Sequence, residues 1–159
     1  MAAATEDRFD VFVKELRNSV EHDLPVENPE SDEFYESTLV QVNGNGNLIP
    51  LSHSDGDDDS GVQVLANLDR QDDEPFTGKF QRDRGGDDPL ANAKSGAIVE
   101  FEIADSIGNY SIGDTAFAVD NQTVNADQSD GGGGSYAEAG TVYEVLESTV
   151  KVYVPGILD

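Results

Sequence analysis

Residues 97 to 103 read "AIVEFEI", apolar and acidic side chains in alternation, and that period of two constrains the chain more than any other feature. Side chains two apart on a strand share a face, so Ala97, Val99, Phe101 and Ile103 turn to a core while Glu100 and Glu102 face water. The period recurs along the chain. "TLVQV" and "LIPL" flank the turn-forming "NGNGN", and Val62, Val64, Ala66 and Leu68 share one face of "VQVLANL". "IGDTAFAVDNQTV" at 112 to 124 reads as strand, turn, strand, and "TVYEVLE" and "TVKVYV" form a last pair joined at Ser148. Seven or eight short strands separated by Gly and Asp turns predict a mainly β chain, a small antiparallel β-barrel or sandwich, because closure or stacking protects strand edges. Pro50 has no N–H to give a ladder and fits an edge. "SHSDGDDDSG" and residues 69 to 96 read as long polar loops, and "DGGGGS" as a flexible tip.

The period changes toward the N-terminus. Phe9, Phe12, Val13, Leu16 and Val20 fall at helical spacing, with Thr5 as N-cap and Glu6 and Asp7 near the positive helix end. These residues predict an amphipathic α-helix over residues 1–22 whose apolar stripe packs beneath its own barrel or forms a contact with another subunit. Residues 21 to 36 carry seven carboxylates, two prolines and no Lys or Arg. They predict an acidic linker over 23–36, leaving residues 37–159 for the β domain.

Composition closes several branches of chemistry. Without cysteine there is no disulfide framework and no thiolate nucleophile or metal ligand. Hydrophobic residues make up 36% of the 159 and Trp is absent, so the core is thin. No apolar run is long enough to cross a bilayer, and "MAAATEDRFD" lacks the features of an export signal. Thirty-three acidic residues against nine basic ones give a net charge of −24, which argues against nucleic-acid binding. A surface so acidic repels itself in dilute buffer, whereas at about 1 M salt the Debye length falls to roughly 3 Å. Spread along the strands as well as the loops, this charge points to a halophilic source.

The candidate motifs fail on inspection. Asp55, Asp57 and Asp59 start like a calcium loop, but Ser60 stands where the tight turn wants Gly and Ala66 where a bidentate Glu would close the shell. His22 and His53 have no partner at metal-ligand spacing. Glu100 and Glu102 lie on one strand face as paired carboxylates would, yet they occupy the wet phase of an alternating strand. The glycines of "DGGGGS" lack the lysine and following helix of a phosphate loop. The sequence therefore predicts no catalytic, cofactor-binding or metal-binding residues, and a protein that is not an enzyme. The sequons at Asn109 and Asn121 are short and common by chance.

The C-terminal half resembles the capsid decoration, or cement, proteins of tailed viruses. The matching positions are Ile112, Gly113, Asp114, Ala116 and Phe117, then Asp120, Thr123 and Val124, then Ala139, Gly140, Thr141, Val142, Glu144 and Val145, within residues 96 to 154. A weaker echo lies in "TLVQVNGNGNLIPL", and the N-terminal segment departs from the shorter members of the family. The resemblance implies a β-barrel on the outer surface of an icosahedral head, made in the host cytoplasm. Its partner would be the major capsid protein, whose subunits it bridges, often as a homotrimer, with the stripe of Phe9, Phe12, Val13, Leu16 and Val20 as a candidate contact to the shell or to a sister subunit. With the composition it implies a tailed virus of a halophile. A carbohydrate- or cation-binding β-sandwich module, using the acidic and Gly-rich loops, is the competing expectation.

Overall fold

A computed structural model describes residues 12–25, 37–43, 45–51, 62–65, 90–129, 131–132 and 134–156. Among them are nine strands: β1 (Phe12–Pro25), β2 (Leu39–Val42), β3 (Leu48–Pro50), β4 (Val62–Leu65), β5 (Leu90–Ile103), β6 (Thr115–Ala118), β7 (Thr123–Asn125), β8 (Ala137–Val145) and β9 (Val150–Val154). One 3₁₀ turn, Ile107–Asn109, follows β5.

β5 organises the molecule. Its C-terminal half belongs to a closed five-strand barrel in which β5 pairs with β7, β7 with β6, β6 with β8, β8 with β9, and β9 with β5 again. Its N-terminal half carries β4, β2 and β3 along one edge and β1 along the other. Every pairing is antiparallel except that of β5 with β7. A ring with an odd number of strands cannot alternate direction all the way round, so one parallel contact is the least that closes it. The antiparallel expectation therefore holds for all but one of the pairings.

The barrel interior explains why a thin apolar composition suffices. It is filled by Ala97, Val99 and Phe101 of β5, Ala116 and Ala118 of β6, Val124 of β7, Ala139 and Val142 of β8, and Val150, Val152 and Val154 of β9, all buried. Four alanines, one phenylalanine and six valines suit the narrow lumen of a five-strand ring. Closing so tight a ring requires strongly coiled strands, and β8 carries two bulges, with Ala139 and Tyr143 as the extra residues. Between them sits Gly140, where an added Cβ would lie 1.9 Å from the carbonyl oxygen of Tyr153, so only hydrogen fits.

Gly96 divides β5. Its φ is +79°, in the region that favours glycine, and it separates Lys94, the last rung with β4, from Ala97, the first with β9. The polar stretch before it, expected as loop, is strand from Leu90 onward, and Ala93, Lys94 and Ser95 are buried there. Alternation over 97–103 had no means of revealing this extension, because both faces of the strand are covered near the junction. Burial lowers the pKa of Lys94. Ile98 is buried as well, on the face opposite Val99.

Over the described part of the helix expected at 1–22 there is a correction: residues 12–25 are strand β1, paired antiparallel with β5 from Phe12 opposite Val99 to Pro25 opposite Leu90, while residues 1–11 and residues 26–36 of the expected acidic linker lie outside the described residues. Tertiary pairing overrides the local helical pattern, since an exposed edge of β5 satisfies the backbone of this segment as well as a helix would. The β2–β3 hairpin is as expected. Asn43 closes it by accepting the Asn45 and Asn47 amides on Oδ1, both at 3.0 Å, and β3 with Pro50 ends the sheet order.

Candidate interaction surface

Two large apolar side chains stand out on the barrel: Ile112, 73% exposed, and Tyr143, 50% exposed. Each is placed by backbone geometry. Residues 111–114 form a tight turn in which the Asp114 amide donates to the Ser111 carbonyl at 3.1 Å and the Ser111 amide to Asp114 Oδ2 at 2.9 Å. Gly113, with φ +96°, takes the third position, where such a turn needs a positive φ, and Ile112 at the second is thrust outward. The Gly113 amide donates to the Val142 carbonyl at 2.9 Å and the Val142 amide to the Asp114 carbonyl at 2.8 Å, locking the turn to β8. Tyr143 is the bulged residue immediately after Val142, so both exposed side chains flank this hydrogen-bonded link.

The approach to the turn is fixed from below. Tyr110 is buried and its hydroxyl donates to the Asp105 carboxylate, with the Val124 carbonyl 3.2 Å away as a second acceptor. Asp105 also accepts from Asn109 Nδ2 at 3.2 Å and from the Ala126 amide at 3.3 Å. Burial, then the hydrogen bond to Asp105, then its negative charge push the Tyr110 phenol well above the ordinary tyrosine pKa. Beside the bulge, Lys151 Nζ on β9 lies 3.0 Å from Glu144 Oε2, a partly exposed pair contributing little stability.

The residues singled out in the sequence fall elsewhere. Phe12, Val13, Leu16 and Val20 lie in β1, and Phe9 lies outside the described residues. Asp55, Asp57, Asp59 and His53 also lie outside the described residues, and His22 is in β1. Glu102 is exposed, while Glu100 sits half-buried opposite Lys151 of β9. Asn109 is exposed on the 3₁₀ turn, and the Asn121 carbonyl accepts the Leu39 amide at 2.8 Å. Among the described residues no group of three or more His, Asp or Glu side chains is arranged to hold a metal. Sequence reasoning missed Tyr143 and the Asp105–Tyr110 contact. The first depends on a bulge with no local signature, and the second on folding a five-residue separation across a 3₁₀ turn.

Comparison with protein-family models, with curated proteins and with solved structures gives no match to this chain.

Proposed function

We propose that the protein is a structural virion component, a decoration protein that binds the outer surface of a viral capsid and stabilises it by bridging major capsid protein subunits. The observation that carries this reading is the locked apolar pair Ile112 and Tyr143, presented by the turn and the strand in which the resemblance to decoration proteins lies. Those same segments, from Ile112 to Val145, supply three of the five barrel strands. Bridging requires shape held in place, and a glycine turn, two backbone hydrogen bonds and a bulge fix the backbone that presents both side chains. Affinity then multiplies when several copies or several sites engage one shell, as in a homotrimer. High salt belongs to the reading, because screening a charge of −24 lets acidic surfaces approach one another.

The test is co-sedimentation of purified protein with viral heads that lack it, in multimolar KCl and in dilute buffer. The reading expects saturable pelleting with heads in KCl and weaker pelleting in dilute buffer. Protein that stays in the supernatant at every salt concentration contradicts it.

A further inference from the structure

We propose that β1 is an exchangeable strand: the edge of β5 over residues 90–99 accepts the 12–25 segment of a second copy of this chain, in the register its own segment uses. This inference stands apart from the capsid reading. The five-strand ring closes through β5, β7, β6, β8 and β9 with no part for β1, and β1 pairs with β5 alone among the described strands. Removing β1 from its own barrel therefore opens one edge of β5 and leaves the ring hydrogen-bonded.

The pairing itself has a regular part and an irregular part. From Val20 opposite Ser95 to Pro25 opposite Leu90 the register runs without a break, whereas from Glu15 to Val20 five steps along β1 match two along β5. The apolar spacing in the segment is helical, so its own sequence does not prescribe a strand; the β5 edge imposes one. A conformation imposed by a template is available from any identical template. The contacts made on a neighbour's β5 are the same as those made at home, which is the condition for exchange at low cost.

Reach permits it. Residues 26–38 join β1 to β2, and thirteen residues span up to about 45 Å when extended. Five carboxylates and no Lys or Arg lie in that stretch. Tethering favours docking at home for a dilute molecule, and copies held side by side remove that advantage.

The natural chain has no cysteine, so introduced thiols report without background. Asp23 and Asn92 face each other on the regular part of the register, and D23C and N92C place one thiol on each strand. The two full-length single variants are mixed at high concentration in multimolar KCl and then oxidised, with the double variant D23C/N92C oxidised alongside. Exchange predicts a D23C–N92C heterodimer several-fold above the sum of the two homodimers, where random encounter gives parity. Heterodimer at parity, while the double variant closes its disulfide within single chains, overturns exchange; failure of the double variant to cross-link at all overturns the register on which it rests.

Discussion

At the residue scale, two positions carry more than their size suggests. Gly140 lies against the β9 backbone, and a methyl group there would overlap the Tyr153 carbonyl and crowd Pro155 Cδ at 3.2 Å. Because the obstacle is backbone, relief requires the strands to part, and Gly140→Ala is expected to cost about 3 kcal/mol, read as a lowered midpoint in chemical denaturation. Tyr110 is held neutral by burial and by its bond to Asp105, so its folded pKa lies above the value of about 10 for an unfolded phenol. A raised pKa contributes stability that is fully present below the unfolded value and is lost as pH rises beyond it. Stability is therefore expected to fall above about pH 10, and Tyr110→Phe to flatten that fall while costing about 1 kcal/mol at neutral pH, measured by denaturation across pH. The exposed pair gives the opposite contrast. Ile112→Ser with Tyr143→Ser is expected to change folding stability by no more than about 0.5 kcal/mol per site. The same double change should weaken binding to heads at least about tenfold, read from the sedimentation isotherm. None of these roles is written locally: Gly140 sits in an ordinary alternating run, and only the pairing with β9 shows why it has no side chain.

At the scale of elements, legibility follows contact range. The β2–β3 hairpin, the β6–β7 hairpin and the β8–β9 hairpin each join neighbours in sequence through short turns, and their alternation and turn residues announce them. β1 and the first half of β5 are different. Leu90 to Gly96 is polar and small, Phe12 to Val20 is spaced like a helix, and each becomes strand because the other and β4 stand beside it. Gly96 supplies the pivot, separating the residues paired with β9 and β7 from those paired with β4, while β1 runs alongside both as far as Val99. Amides inside a closed ring open only when the ring does, so hydrogen exchange is expected to be slowest for residues 97–103 and 150–154 and faster for β3, the terminal strand of the sheet. Equal protection across β3 and β9 would contradict the division.

At the scale of the whole molecule, charge and closure act together. A barrel whose lumen holds mostly valine and alanine buries modest apolar area, and a net charge of −24 works against its compact state. Screening relieves that repulsion, so the melting temperature is expected to climb from dilute buffer to multimolar KCl, followed by circular dichroism; a value indifferent to salt would contradict adaptation to brine. The closed ring also leaves β5 to β9 without free edges inside the barrel, which suits the proposed bridging of capsid subunits through exposed side chains such as Ile112 and Tyr143. The most direct measurement of that claim is an electron cryomicroscopy map of heads carrying the protein in high salt. The account predicts barrels seated on the shell with the 111–114 turn and the Tyr143 bulge facing capsid subunits. A map with those two features turned to solvent, or with no barrel on the shell, would contradict it.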